Sequence, residues 1–164
     1  MVVLSTPWSR TMGLRIPVLN APMGGVAGGK LATAVSAAGG LGMIGVGSAG
    51  SVALLEREAE GPQRPRLPFG IGLLDWALDR HPELLDVTLA ASPVLVSVSF
   101  GDAWAWGERV RAAGVVTATQ IASVDEARVA EDAGIQVLVA RGSEGGGHGD
   151  PKVCLLYTSP SPRD

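Results

Sequence analysis

Short apolar runs alternate along the chain with longer segments whose apolar residues recur at helical spacing. The apolar runs predict six strands, at residues 16–21, 41–46, 69–73, 94–99, 115–121 and 135–140. The segments between them predict five helices, at residues 30–38, 51–60, 75–91, 103–113 and 123–133, the third broken near Pro82. Nearly continuous apolar strands are typical of a parallel sheet covered on both faces. The pattern therefore predicts an α/β fold with right-handed crossovers.

Local residues support these boundaries. Three predicted helices end in Ala-Gly directly before an apolar run, at Gly39, Gly114 and Gly134. Glycine at such a position adopts the left-handed conformation that turns a helix back toward the next strand. Ser123 and Glu126 have the spacing of a capping box at the start of the last helix. The proline-rich residues 62–68 predict a connection in which no regular element extends far.

Two architectures share this alternation, an open doubly wound sheet and an eight-stranded βα barrel. Six strands and five complete helices are predicted here, so a barrel would need two further βα units. The open sheet needs no additional unit, and the alternation alone therefore favours it slightly. The residues at the strand ends reverse that preference.

The composition indicates one domain and argues against several classes of partner. The 164 residues are 46% hydrophobic and 18% charged, with a net charge of −3, which is sufficient for a single core. There is no basic stripe for nucleic acid, no signal-peptide pattern, and no apolar run of the ~18 residues needed to cross a bilayer. We therefore expect a soluble cytoplasmic protein without nucleic-acid, membrane or metal partners.

Residues 154–164 break sharply from the rest of the chain. They have no hydrophobic period, and they contain the only cysteine, Cys154, and the only tyrosine, Tyr157. Their sequence coincides with the translation of a transposase sequencing adapter, in a frame compatible with a Val153 codon. We therefore expect residues 1–153 to be the native domain and residues 154–164 to be a non-native segment without functional meaning.

Residues 45–50 have the sequence Gly-x-Gly-x-x-Gly, which follows a predicted strand and begins a helix. This is the dinucleotide-binding fingerprint, and an acidic residue, Asp75, follows the next strand. One complete βα unit precedes the motif, however, whereas the fingerprint normally occupies the first unit of its domain. The favoured interpretation is a tight βα loop with close helix–strand packing, and a dinucleotide site is the alternative.

A second glycine-rich loop follows the last predicted strand. Residues 141–150 contain three consecutive glycines and then His148. Consecutive glycines let backbone N–H groups approach an anion or a planar ring closely, and a histidine beside them can act as an acid or base near neutral pH. Because α/β active sites form at the carboxyl ends of parallel strands, His148 is a catalytic candidate, and a solvated loop histidine is the alternative.

Three segments together resemble the nitronate monooxygenase family. They are residues 16–26 (IPVLNAPMGGV), 37–44 (AAGGLGMI) and 142–148 (GSEGGGH). All three occur in the family's order and at natural spacing, and the resemblance extends from about residue 11 to residue 150. FMN-dependent enoyl-acyl-carrier-protein reductases and NADH:quinone reductases share these motifs, so they stay open as alternatives.

The resemblance implies a TIM-type (βα)8 barrel that binds FMN at the carboxyl ends of its strands. The residues implied in cofactor binding are Ala21, Pro22, Met23, Gly72, Gln120, Gly145, Gly146 and Gly147. His148 is implied as the catalytic histidine facing the isoalloxazine ring. The implied reaction oxidises an alkyl nitronate or nitroalkane with O2, and the alternative is an FMN-dependent NAD(P)H:quinone or enoyl-acyl-carrier-protein reductase.

The sequence departs from the family pattern at several points. Gly72 stands where the family has an asparagine that contacts the flavin, and Gly145 replaces an alanine. The phosphate-binding loops that follow strands seven and eight are not present. The resemblance therefore implies an N-terminal fragment, truncated after about six strands and inactive on its own, and nothing in the sequence indicates an oligomeric state.

Overall fold

A computed structural model of the chain describes residues 4–101, 104–142 and 145. The described residues form one parallel sheet of five strands in the order β1-β2-β3-β4-β5. The strands are β1 (Gly42–Gly45), β2 (Phe69–Leu74), β3 (Leu95–Ser99), β4 (Val116–Ile121) and β5 (Val137–Ala140). The predicted strands from residue 41 onward are confirmed, each boundary lying within about two residues of its predicted place.

Seven helices accompany the sheet in the described part of the chain. They are α1 (Pro7–Thr11), α2 (Gly29–Ala37), α3 (Val52–Gln63), α4 (Asp75–Arg80), α5 (Glu83–Ala90), α6 (Ala105–Ala112) and α7 (Val124–Asp132). The short α1 was not predicted. The break near Pro82 is confirmed, since α4 and α5 are separate there. The predicted connection at 62–68 begins too early, because the N–H of Arg64 donates to the Glu60 carbonyl and closes a helical turn around Pro62.

The strand order decides between the two architectures. In a doubly wound sheet the order reverses at a switch point, whereas here each strand pairs with the one that precedes it in the chain. Right-handed crossovers between successive parallel strands place all the connecting helices on one face. The sheet is therefore an arc of a TIM-type βα barrel, and the slight preference for an open sheet on alternation alone is wrong.

Each face of the sheet has its own apolar core. The outer face packs against the helices, and its buried residues include Ile44, Ile71, Val96, Leu55, Leu84 and Val110. The inner face has a smaller cluster formed by Leu41, Met43, Leu95 and Ala118, with Trp8, Met12 and Leu14 packed against it. Because side chains alternate along a strand, Ser97 and Gln120 continue this inner face toward the carboxyl ends.

The first predicted strand, residues 16–21, is reduced to a single parallel bridge between Leu19 and Leu41. Pro17 lacks a backbone donor, which limits a hydrogen-bonded ladder here. The side-chain amide of Asn20 replaces part of that ladder. Its Nδ2 donates to the Met43 carbonyl at 2.9 Å, and its Oδ1 accepts from the Met43 N–H at 2.8 Å. The segment therefore lies beside β1 as expected, held by the Asn20 side chain together with the backbone hydrogen bond from the Leu41 N–H to the Val18 carbonyl at 2.9 Å.

The predicted helix caps are confirmed with one adjustment. Gly39, Gly114 and Gly134 have φ values of 99°, 74° and 78°, in the left-handed region that favours glycine. The Ser123 hydroxyl accepts from the Glu126 N–H at 3.1 Å, while the Glu126 carboxylate accepts from the N–H of Ala122. In the usual capping box the Glu126 carboxylate would bond the N–H of the N-cap residue, Ser123, whereas here it bonds the residue before it. None of the described helices is long and apolar enough to cross a membrane.

Candidate cofactor site at the carboxyl ends of the strands

The loop that follows residue 20 folds onto the carboxyl ends of β1 and β2. A Cβ built at Gly45 would lie 2.4 Å from the Pro22 carbonyl oxygen, and one at Gly72 would lie 2.3 Å from Pro22 Cβ. A Cβ at Gly24 would lie 2.4 Å from Gly47 Cα. These distances are shorter than any normal carbon contact, so glycine is required for the loop to approach the strands so closely.

This packing explains the Gly-x-Gly-x-x-Gly motif at residues 45–50. Gly45 and Gly47 face the preceding loop of the same chain, and a Cβ at Gly50 would lie 2.2 Å from Val46 Cγ1. The motif is also not at a reversal of strand order, where a dinucleotide would bind. The structure therefore favours the interpretation as a tight βα loop.

The same loop presents apolar side chains at this end of the sheet. The carbonyl of Met23 accepts the N–H groups of Val26 and Ala27 at 3.1 and 2.8 Å, which closes a compact turn. Met23 and Val26 are 52% and 66% exposed. Two exposed apolar side chains beside the open end of the barrel arc suit a surface that a ligand covers, and the Met23 thioether suits contact with a flat ring.

A cluster of two polar side chains and one aromatic side chain lies across the ends of β3, β4 and β5. Gln120, in β4, accepts a hydrogen bond at its Oε1 from Arg141 Nη1 at 2.8 Å. The Arg141 guanidinium also lies over the Phe100 ring, with its Cζ 5.9 Å from the ring centroid. We refer to Phe100, Gln120 and Arg141 as the Arg141 cluster. It brings one predicted site residue, Gln120, together with two that the sequence analysis did not select.

Two serines on the inner face of β3 were also missed. Ser97 and Ser99 are only 7% and 5% exposed, and they alternate with Val96 and Val98, which belong to the outer core. They therefore lie on the same face as Leu95 and bring two hydroxyl groups to the upper part of the inner face. The alternating sequence Leu-Val-Ser-Val-Ser carried that signal.

The structure describes some of the predicted site residues and not others. Ala21, Pro22 and Met23 lie on the loop over β1 and β2, where Pro22 covers the inner side of Gly72. Gly145 lies beside Arg141, since a Cβ built on this glycine would be 3.2 Å from Arg141 Cγ. Gly146, Gly147 and His148 lie outside the described residues. Their roles therefore stay predictions.

A partly buried hydrogen bond anchors the far end of the loop. The Glu58 carboxylate on α3 accepts from the Gly29 N–H at 2.8 Å, at the first residue of α2. The pKa of Glu58 is lowered from its ordinary value, chiefly by this backbone hydrogen bond and then by the Arg57 side chain beside it. An ionised carboxylate at a helix N-terminus is favoured by the unpaired N–H groups there. Glu58 thus ties α2, and with it the loop over β1 and β2, to α3.

Comparison with known proteins agrees with the motifs. The nitronate monooxygenase family model matches residues 77–157, about half of the chain. A nitronate monooxygenase of Pseudomonas aeruginosa is 31% identical, over 86% of this chain and 51% of its own length. A (3aS,4S,5R,7aS)-5-hydroxy-7a-methyl-1-oxo-octahydro-1H-indene-4-carboxyl-CoA dehydrogenase of Rhodococcus jostii is 28% identical, over 95% of this chain and 44% of its own length.

The structure of FabK from Thermotoga maritima has the same fold. It superimposes with a TM-score of 0.82 at 28% identity, covering 92% of this chain and 48% of that one. The chain thus spans about half the length of the relatives it matches. Three independent features agree, namely the ordered motifs, the sequential parallel strands and the matches to known proteins. The chain therefore belongs to the nitronate monooxygenase family.

Proposed function

We propose that this chain forms the FMN-binding part of an oxidoreductase that oxidises alkyl nitronates or nitroalkanes with O2. The observation that carries the proposal is the pairing of two surfaces at one end of the barrel arc. The loop with Met23 is apolar and exposed, and the Arg141 cluster supplies hydrogen-bond donors at the same end of the sheet, beyond β3, β4 and β5. Ligand sites of barrel enzymes form at this end of the strands.

The residues present fit a flavin. An isoalloxazine ring has two flat, largely apolar faces and one edge rich in hydrogen-bonding groups. Met23 and Val26 offer apolar contact, while Gln120 and Arg141 offer polar contact. The glycines at 45 and 72 leave no side chain between the strand ends and the Pro22 loop. This combination of an apolar platform and a few convergent polar groups is characteristic of cofactor sites.

The bound FMN would supply the redox chemistry. The protein groups bind it, orient it and handle protons. Met23 and Pro22 would support the ring, and Gln120 would donate a hydrogen bond to its polar edge. His148 in its neutral form would take a proton from the carbon of a neutral nitroalkane, and in its protonated form it would hold an anionic nitronate.

The test uses the whole protein that carries this chain. We expect it to purify with FMN and to consume O2 when given an alkyl nitronate such as propionate 3-nitronate. In the His148→Ala variant we expect turnover of neutral nitroalkanes to fall about 10²-fold or more, as for loss of a general base, with flavin content nearly unchanged. Equal losses of turnover and flavin would make His148 a structural residue. A colourless protein that takes up no FMN would refute the proposal.

A second candidate is an FMN-dependent reductase or dehydrogenase that uses NAD(P)H with a quinone or an acyl-thioester substrate. The observation that favours it is Gly72, which cannot provide the side-chain bond expected of a nitronate monooxygenase and lies beneath Pro22. The Rhodococcus relative, named as a carboxyl-CoA dehydrogenase, aligns with 95% of this chain. Oxygen uptake with a nitronate, compared with NADH consumption in the presence of a quinone or enoyl thioester, separates the two candidates.

A further inference from the structure

We propose that Arg141 is a positioning residue of this site, which holds the Gln120 side-chain amide so that its NH2 group faces the cofactor. The inference rests on the proposed function, because it assigns a role in binding FMN. Gln120 was predictable from the family motif, whereas Arg141 was not. What links them is a contact between the ends of neighbouring strands.

The backbone fixes where Arg141 begins. Its N–H donates to the Ile121 carbonyl at 3.0 Å, which extends the pairing of β4 and β5 by one step. Gln120 pairs in register with Val139, so Arg141 follows two residues beyond on the same face of the sheet. That face is the inner one, because Val137 packs with the inner cluster. The side chain of Arg141 therefore starts on the face that carries Gln120.

Three neighbours then fix the path of the Arg141 side chain. Its Cγ lies beside Gly145, where an added Cβ would approach to 3.2 Å. Its Nη1 donates to Gln120 Oε1 at 2.8 Å, and its Cζ lies 5.9 Å from the centroid of the Phe100 ring. A guanidinium that both lies over an aromatic ring and hydrogen-bonds is confined in direction.

The chemistry of arginine determines which end of the amide it contacts. A guanidinium has only donors, so it can bond the carbonyl oxygen of Gln120 and never its NH2 group. Rotating the amide by half a turn would set donor against donor and break the bond. The Gln120 oxygen is thus occupied by Arg141, and its two N–H donors are left to point elsewhere. Gln120 consequently acts as a donor toward an acceptor on the ligand.

The experiment is a double-mutant cycle on the whole FMN-loaded protein, read out as the FMN dissociation constant and the midpoint potential of the bound flavin. Arg141→Met keeps an unbranched stem beside Gly145 but removes the donors, and it should weaken FMN binding about tenfold, as for one lost hydrogen bond to a charged partner. Gln120→Ala should weaken binding by a similar factor. The Arg141→Met/Gln120→Ala double variant should be no weaker than Gln120→Ala alone, because Arg141 acts only through Gln120.

Two further variants separate positioning from general damage. Arg141→Lys retains a cation that can only donate but lacks the planar guanidinium, so it should weaken FMN binding and shift the midpoint potential less than Arg141→Met does. Arg109→Met removes an arginine that pairs with Asp86 on the outer helices, and neither readout should change.

The outcomes distinguish the inference from the function on which it rests. Unchanged FMN binding in Arg141→Met would overturn the role of Arg141 and leave the proposed function intact. Losses that multiply in the double variant would do the same, since independent effects mean that Arg141 does not act through Gln120. A wild-type protein that takes up no FMN would overturn the proposed function and the inference together.

Discussion

The contact between Pro22 and Gly72 can be tested by adding a single methyl group. In Gly72→Ala the new Cβ would lie 2.3 Å from Pro22 Cβ and 2.5 Å from Pro22 Cγ. A flexible side chain could rotate away from such an approach, but a proline ring has almost no freedom to do so. The φ of Gly72 is not in the positive range, so the backbone itself tolerates alanine. The consequence of the substitution is therefore entirely steric.

The size of the effect follows from that distance. Carbon atoms in contact are normally about 3.5 Å or more apart, so the Pro22 loop must move outward by about 1 Å. Forcing an extra carbon into a closely packed position costs about 1–3 kcal/mol, and we expect the free energy of unfolding to fall by that amount. Because Ala21 and Met23 move together with Pro22, we also expect weaker FMN binding.

The assay compares urea unfolding and FMN titration in the whole protein. Gly107→Ala is the matched control, because its added methyl meets only the side-chain atoms Arg111 Nη1 and Ile135 Cδ1, at 3.2 Å. Alanine within α6 should be neutral or stabilise the protein by up to about 1 kcal/mol. In the Pro22→Gly/Gly72→Ala double variant the ring is absent, so the combined loss should be smaller than the sum of the two single losses.

The reasoning fails if Gly72→Ala unfolds at the same urea concentration as the wild type and binds FMN equally well. It also fails if the losses in the double variant are simply additive. Either result would mean that Pro22 does not lie against Gly72. The loop would then have to be placed differently over β2.

Two further predictions concern the support of the site and the edge of the sheet. Because the pKa of Glu58 is lowered in the folded protein, its contribution to stability is present above its ordinary pKa and is lost as the pH falls through the folded value. Glu58→Gln should lower the free energy of unfolding by about 1 kcal/mol at pH 7, after screening by solvent, and by progressively less in acid. Urea unfolding measures this loss, with Glu60→Gln as an exposed control. A loss that does not depend on pH would contradict the prediction. Leu138 and Val139 on the edge strand β5 are 37% and 36% exposed. Because an exposed apolar edge strand favours aggregation, the 164-residue chain expressed alone should aggregate or fail to retain FMN. A soluble, flavin-loaded monomer would exclude this prediction.

Features that depend on a few neighbouring residues were predictable from the sequence. Gly39, Gly114 and Gly134 each follow an alanine-ended helix, and each has the positive φ that was expected. The reason is local, since only glycine adopts this conformation without strain. Strands β2 and β3 were likewise found from their apolar runs, because a strand buried on both faces leaves little choice of residue.

The first predicted strand shows where local reasoning stops. Residues 16–21 are as apolar as a true strand, yet they form only one bridge to Leu41. Beside the backbone bond from the Leu41 N–H to the Val18 carbonyl, two of the hydrogen bonds that hold them come from the Asn20 side chain, and an asparagine near a turn has many possible partners. The missed α1 did have a local signal, since the Thr6 hydroxyl caps it and Pro7 occupies its first position.

Most of the candidate site depends on contacts between distant parts of the chain. Arg141 and Gln120 are 21 residues apart, and only the register of β4 and β5 brings them together. No periodicity in the sequence carries that register. The resemblance to the family selected Gln120 because it compares positions one by one, but Arg141 became visible only through its hydrogen bond.

The glycine motif at residues 45–50 shows how strand order changes the meaning of a sequence. In a doubly wound sheet the loop after such a strand lies at a reversal of strand order, and its glycines open toward a ligand. In a barrel arc the neighbouring strands follow the chain order, so the loop from the preceding unit lies over the same strand end. Gly45 and Gly47 therefore admit Pro22 and Gly24 from that loop, and the space that a dinucleotide would need is filled by the protein. The proposed cofactor site accordingly lies on top of this loop, which is why Met23 and the Arg141 cluster, rather than the glycine fingerprint, are the groups whose substitution should alter FMN binding.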